Sequence, residues 1–371
     1  MTVNPRFIMI GGFLGAGKTT TIARLAHDYQ SQGKRVGIVT NDQATDLVDT
    51  NLLRSQGFDV GEVAGSCFCC NFNELTRTME GLGETELPEI VIAEPVGSCT
   101  DLVATVIRPL QSIYSQPFDI APYGVILKPS HGLKILKGTS KGGFSPQAEY
   151  IFRKQIEEAD FVIINRVDEL TEELIEELTS LVKLNFPGIP CLRISASTGQ
   201  GFDTFSEYLE LKGVFGKRVM EVDYDVYAQG EAELGWLNAQ AVLESNDSFK
   251  LDDFIITLLN RINLSLNEHS AEVAHLKVIG MADGQYAVGN LVSSLSAPKL
   301  SIGCGIVTTK ANLVINARVA VDPKSLTKTI EDTLRVVCLE HGVHETINTL
   351  QSFRPGRPVP THRLAGTESE I

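Results

Sequence analysis

The stretch Ile10-Gly-Gly-Phe-Leu-Gly-Ala-Gly-Lys-Thr-Thr20 decides how the first half of this chain folds. Apolar residues 7–10 precede it and a helix-like run, 21–26, follows, which is the order strand, tight glycine turn, helix. Gly12, Gly17, Lys18 and Thr19 stand at the spacing of a phosphate-binding P-loop. Glycines such as Gly12, Gly15 and Gly17 let the backbone turn until successive N–H groups face one anion, and Ala16 and Thr20 belong to the same nest at the helix N-terminus. Lys18 is the residue expected to bridge the β- and γ-phosphates, and the Thr19 hydroxyl to hold Mg²⁺. A nucleoside triphosphate is the expected ligand.

Outward from that loop, apolar runs at 35–40, 90–93, 123–127, 161–164 and 191–194 alternate with helical stretches at 20–32, 145–158 and 171–185. Most of the runs are apolar on consecutive positions, as parallel strands buried on both faces require. The expected fold class is α/β, a P-loop domain with a doubly wound, mostly parallel sheet whose ligands lie at the carboxyl ends of its strands. Near residue 213 the texture changes. Strand-like runs at 235–243, 275–281, 285–292 and 313–321, with helical patterns at 251–266 and 323–341, predict a smaller α+β domain with an antiparallel sheet. The predicted division is a P-loop domain over 1–213 and a C-terminal domain over 214–353. A tail over 354–371, carrying Pro355, Pro358 and Pro360, is expected to be poorly ordered.

The chain has 371 residues, 43% of them hydrophobic, and a formal charge of −14, which argues against a broad nucleic-acid footprint. No apolar run reaches the length of a membrane span, so no membrane partner and a cytoplasmic address are expected. Seven cysteines, an odd number, read as thiols and metal ligands and not as a disulfide framework.

Three further stretches choose the base. The run Phe161-Val-Ile-Ile-Asn-Arg-Val-Asp168 ends an apolar strand in Asn-x-x-Asp. The Asp168 carboxylate can accept from the N1–H and the 2-amino group of guanine, a donor pair adenine lacks, while Asn165 addresses the opposite edge. The position between them, usually Lys in GTPases, is Arg166. Ser195 and Ala196, in Ile194-Ser-Ala-Ser197, resemble an element whose backbone contacts guanine. In Ile92-Ala-Glu-Pro-Val-Gly97, Glu94 is a candidate to hold Mg²⁺ through water and the Gly97 N–H to sense a γ-phosphate. GTP is therefore preferred over ATP. Asp42, Asp46 and Asp49 are candidates to orient the attacking water or the metal, with Asp42 placed among the catalytic residues.

Cys67, Cys69 and Cys70 fall between the presumed switch region and Glu94. Sulfurs at i, i+2 and i+3 can converge on one soft or borderline ion such as Zn²⁺, leaving one coordination position open. Three reduced core thiols at a strand–helix junction would explain the same spacing. Cys99 is a candidate fourth ligand, although a buried thiol accounts for it as well.

Gly-Gly-Phe-Leu-Gly-Ala-Gly-Lys-Thr-Thr, Gly65-Ser-Cys-Phe-Cys-Cys70, Glu-x-x-Gly and Gln155-Ile-Glu-Glu-Ala-Asp160 before Asn-x-x-Asp together resemble the CobW-type family of metal-handling P-loop GTPases, related to the hydrogenase and urease nickel-insertion GTPases. The resemblance runs from Arg6 to about Phe202. It implies a GTPase that binds GTP and GDP, delivers zinc or cobalt (Zn²⁺ or Co²⁺) to a client metalloprotein, and forms a homodimer as one assembly to expect. With it, metal binding by the three cysteines becomes the favoured reading. Two stretches depart from the family pattern: Asn41-Asp-Gln-Ala-Thr-Asp46, where the family usually has Asn-Glu-Phe-Gly, and Leu127-Lys-Pro129, where it has Val-Asp-Ala. The alternatives from other classes are a small-molecule kinase using the same loop, and a nucleotide- and metal-binding scaffold with little turnover.

Overall fold

In the computed structural model of the chain, residues 4–42, 48–83, 87–114, 117–138, 145–269, 271–294 and 296–365 are described. They divide into two compact units, one formed by Met1–Gly230 with Arg357–Ile371 and the other by Glu231–Gly356.

The first unit is built on eight strands: β1 (Arg6–Gly12), β2 (Val36–Asp42), β3 (Asp59–Ala64), β4 (Ile90–Glu94), β5 (Asp119–Ile120), β6 (Gly124–Leu127), β7 (Phe161–Ile164) and β8 (Cys191–Arg193). Their order is β3-β2-β4-β1-β6-β7-β8, with β5 beside β1, and every pair is parallel. Strands β1, β4, β6 and β7 are buried at every residue, as unbroken apolar runs between two layers of helix must be. Parallel strands place all their carboxyl ends on one edge. That edge carries the P-loop after β1, Asp42 at the end of β2, Glu94 at the end of β4 and Asn165 just after β7.

Helix α1 (Lys18–Ser31) follows the P-loop directly, α2 is Val48–Ser55, and α3 (Phe72–Glu80) follows the cysteine loop. Helix starts agree with the chemistry of their caps. Ser145 Oγ accepts from the Ala148 N–H at 3.0 Å before Pro146–Glu157, and Thr171 Oγ1 accepts from the Leu174 N–H at 3.5 Å before Glu172–Asn185.

The second unit is a six-stranded sheet in the order β12-β11-β10-β13-β9-β14, with every pair antiparallel. Its strands are β9 (Gly235–Lys250), β10 (Val273–Ala282), β11 (Gln285–Leu291), β12 (Lys299–Ile302), β13 (Val307–Val319) and β14 (His344–Phe353). Helices Leu251–Glu268 and Pro323–His341 bury their apolar stripes with Leu237, Leu276, Leu313 and Ile315 in one core. Among the described residues no helix is long and apolar enough to cross a membrane.

Two observations bear on the organisation expected from the sequence. The division falls after Gly230 and not at 213, because residues 214–223 bond back to the first unit. The Gly216 N–H donates to Asp160 Oδ2 at 3.0 Å and Arg218 Nη2 to the Gly188 carbonyl at 3.1 Å. In the tail, residues 357–365 return to the first unit and bond to its backbone, while 366–371 lie outside the described residues.

Candidate functional site

The P-loop takes its shape from glycine. Gly12, Gly15 and Gly17 all have positive φ, at 137°, 71° and 96°. A Cβ on Gly12 would lie 2.5 Å from the Ile126 carbonyl, and one on Gly17 would lie 2.5 Å from Asn165 Nδ2, so neither position admits a side chain. Lys18, only 8% exposed, folds back over the loop and donates to the Gly12 carbonyl at 3.0 Å. Thr19 Oγ1 donates to Glu94 Oε1 at 2.9 Å, both residues being buried. A hydroxyl and a carboxylate side by side at the mouth of a phosphate nest are hard oxygen donors of the kind Mg²⁺ takes, so these residues fit that ion. Gly97 closes the other side: a Cβ there would meet Lys18 Nζ at 3.0 Å and Leu14 Cδ2 at 2.8 Å. Thr20 is exposed at the start of α1.

Where the Asn-x-x-Asp motif leaves β7, the Asn165 amide is hydrogen-bonded at both its nitrogen and its oxygen. Its Nδ2 donates to the Ala16 carbonyl at 3.0 Å, and its Oδ1 accepts from the N–H of Ala196 at 3.0 Å and of Arg166 at 2.8 Å. Asn165 thus ties β7 to the P-loop and to the Ser195–Ala196 turn. Ser195 Oγ accepts from the Thr198 N–H at 3.1 Å and so shapes that turn. Arg166 adopts the left-handed conformation at φ 63°, and Asp168 follows it exposed, with Oδ2 accepting from Ser197 Oγ at 3.3 Å. The Asp42 and Asp49 side chains, and all of Asp46, lie outside the described residues.

The cysteine loop forms the third part. Gly65 at φ 84° turns the chain after β3, and the N–H groups of Cys70 and Asn71 both donate to the Cys67 carbonyl at 3.0 Å. That tight turn brings the sulfurs together. Cys67 Sγ lies 2.9 Å from Cys69 Sγ and 3.1 Å from Cys70 Sγ, and the last two are 3.7 Å apart. Among the described residues this is the one group of three Cys, His or carboxylate donors that could hold a metal ion. Thiolates about 2.3 Å from a common zinc ion sit roughly 3.8 Å apart, so loading requires the sulfurs to spread by about 1 Å at most. The donors are soft, compact and two-thirds enclosed: Cys67 and Cys69 are buried and Cys70 is half-buried. Hydrogen bonding to Cys67, then to Cys70 and Cys99, together with burial, holds the Cys69 thiol well above its usual range. Hydrogen bonding to Cys67 pushes Cys70 up to about 11. Both therefore carry protons at neutral pH, which a bound cation must displace. Cys99 hydrogen-bonds Cys69 but stands outside the three-sulfur group.

Several residues quoted in the sequence motifs were given no role of their own there. Asn41, buried at the end of β2, donates to the Val63 carbonyl at 2.8 Å and the Ser66 carbonyl at 2.7 Å, and its Oδ1 accepts from the Phe68 N–H at 2.8 Å. It pins the cysteine loop to the residue that precedes Asp42. A buried asparagine closing an apolar strand is the signal that could have found it, since such a group must be hydrogen-bonded. Gln155 Nε2 donates to the carbonyls of Gly97 at 3.0 Å and Cys99 at 2.8 Å, and Glu158 Oε2 accepts from the Val103 N–H at 2.9 Å. The Gln-Ile-Glu-Glu-Ala-Asp motif is thus a clamp on the segment after Glu94. Lys128, 4% exposed after β6, lies 3.2 Å from His131 Nε2. Burial and the neighbouring charge of Lys128 hold that imidazole well below its usual range, hence neutral.

A sequence model described as CobW/HypB/UreG, nucleotide-binding domain, matches residues 6–191, half of the chain. This chain belongs to the CobW/HypB/UreG family. Within that family it is similar to the zinc chaperone CobW of Sinorhizobium sp, at 36% identity over 97 residues, 24% of this chain and 27% of that protein. It is similar to the zinc chaperone YeiR of Escherichia coli (strain K12), at 27% identity over 171 residues, 44% of this chain and 47% of that protein. The matched regions therefore span half or less of these two curated relatives. The urease accessory protein UreG of Metallosphaera sedula is 27% identical over 227 residues, 56% of this chain and 96% of that protein. Among solved structures, HypB from Helicobacter pylori in complex with nickel covers 56% of this chain and 86% of its own, at 20% identity and a TM-score of 0.40.

Proposed function

We propose that the protein hydrolyses GTP and couples that cycle to the holding and release of a transferable metal ion, zinc or cobalt, on Cys67, Cys69 and Cys70. The carrying observation is the convergence of three sulfurs within 3.7 Å of one another, on a loop pinned by Asn41 to the strand that ends at Asp42. Membership of the CobW/HypB/UreG family supports the nucleotide half of the reading. The zinc-chaperone relatives support the metal half.

In this reading the P-loop amides of Gly15, Ala16, Gly17, Lys18, Thr19 and Thr20 hold the phosphates, Lys18 leaves the Gly12 carbonyl for the β- and γ-oxygens, and Gly97 reports whether the γ-phosphate is present. Thr19 and Glu94 would hold Mg²⁺, which would supply charge neutralisation at the transferring phosphoryl group. Asp42 orients the attacking water. Loss of the γ-phosphate acts at Asn41 and at the segment that begins at Glu94 and so changes the geometry of the sulfurs between them. The released ion passes to a client metalloprotein. The kinase and scaffold readings gain no observation of their own.

Asp168 gives the nucleotide part its test. An Asp168→Asn variant should lose about ten- to a hundredfold in affinity for GDP, the range of a lost hydrogen bond to a charged group, and gain for xanthosine diphosphate. Competition with a fluorescent guanine nucleotide measures both. An unchanged preference would remove Asp168 from the base site.

Coupling is tested by titrating Zn²⁺ into the protein bound to a non-hydrolysable GTP analogue, bound to GDP, and free of nucleotide. Affinity should differ between the first two states by at least about fivefold, and bound zinc must shift the affinity ratio of the two nucleotides by the same factor. Equal affinities in all three states would leave a GTPase that merely carries metal.

A further inference from the structure

The cysteine loop is covered by the far end of the chain. The Val359 N–H donates to Cys70 Sγ at 3.3 Å, the Thr361 N–H to the Cys69 carbonyl at 2.8 Å, and Thr361 Oγ1 to the Cys70 carbonyl at 2.9 Å. The His362 ring then stands edge-on to Phe72, the first residue of α3, with centroids 5.3 Å apart. Past the loop, Arg363 Nε donates to Asp101 Oδ2 at 2.7 Å and the Leu364 N–H to the Ala104 carbonyl at 2.9 Å. Asp101 is 1% exposed, has φ 66°, and receives the Tyr224 hydroxyl on the same oxygen at 2.7 Å. Pro358 and Pro360 stiffen the segment that makes these contacts.

We propose that residues 357–365 are a clasp over the three-cysteine centre, with the Arg363–Asp101 ion pair as its catch, and that this clasp limits how fast the metal leaves. The proposal rests on the metal-binding reading above. Cys70 is the half-buried member of the trio, hence the sulfur nearest to solvent and to any acceptor, and it is the one that the clasp touches. An N–H aimed at a thiolate favours its charged form and holds it in place, as outer-shell donors do at metal sites. The catch sits on the segment that starts at Glu94 and that Gln155 and Glu158 clamp. A shift of that segment on loss of the γ-phosphate therefore acts on the metal centre and on its cover together.

The test uses the full chain loaded with zinc and mixed with a chromophoric chelator in excess. Arg363→Gln should release zinc about tenfold faster, the factor that about 1.4 kcal/mol represents. Thr361→Pro deletes an N–H and a hydroxyl without leaving a buried charge, and it should act in the same direction. Guanine-nucleotide binding, unchanged in both variants, reports that they fold. In metal-free protein, alkylation of Cys70, followed by mass spectrometry with Cys304 as internal reference, should also accelerate in both. Normal zinc content with unchanged release and alkylation overturns the clasp. Accelerated alkylation of a protein that holds no zinc supports the clasp and overturns the metal reading.

Discussion

Lys18→Ala should lower the single-turnover rate of GTP hydrolysis by at least about a hundredfold, the loss expected when one preorganised charge is taken from a developing anion. The physical ground is that Lys18 is held in advance: it is 8% exposed and hydrogen-bonded to the Gly12 carbonyl over the loop. The charge therefore needs little rearrangement to meet the phosphates. Its removal leaves the glycine turn intact, so the variant should fold, and it should still bind GDP, though more weakly. Phosphate release measured at saturating GTP separates the two effects. A rate within about threefold of the unsubstituted protein would mean that the reacting phosphoryl group does not meet this lysine.

Replacing Cys67, Cys69 and Cys70 together by serine should weaken zinc binding by more than about a thousandfold, since thiolate coordination supplies most of the large apparent free energy of such sites. Serine is close to cysteine in size, and the turn that gathers these residues is made by backbone bonds to the Cys67 carbonyl. The loop should therefore persist. Metal analysis after dialysis against a zinc buffer gives the result, with GTP binding as the check on folding. Stoichiometric zinc in the triple variant would place the cargo elsewhere.

The parts of the fold that showed in the sequence are those whose cause is local. Buried parallel strands are apolar at consecutive positions, so β1, β4, β6 and β7 stood out, and the P-loop followed from its glycines. Strands β3, β12 and β14 did not. β3 carries Asp59 and Glu62 with a half-buried pattern, and β14 is exposed at most positions, so neither has the apolar signal of a strand. The boundary near 213 followed a change in composition, whereas the chain stays with the first unit through bonds such as Gly216 to Asp160. Prolines made the tail read as unstructured. Its partners, Cys69, Cys70, Asp101 and Ala104, lie more than two hundred and fifty residues away, and no local pattern encodes such a pairing. Likewise, the spacing of the cysteines was legible, but the Asn41 amide that holds their loop bonds from β2 to β3 and the loop after it, more than twenty residues along the chain.

The bracing of Asn165 bears on how a nucleotide is received. Its side chain joins the Ala16 carbonyl, in the P-loop, to the Ala196 N–H, in the turn after β8. In the proposed reading these two elements hold the phosphates and the base, so one buried side chain ties them together on folding, and the entropy lost in that tie is not lost again on binding. In that reading, what distinguishes the diphosphate from the triphosphate is felt beyond this tie, at Asn41 and Glu94.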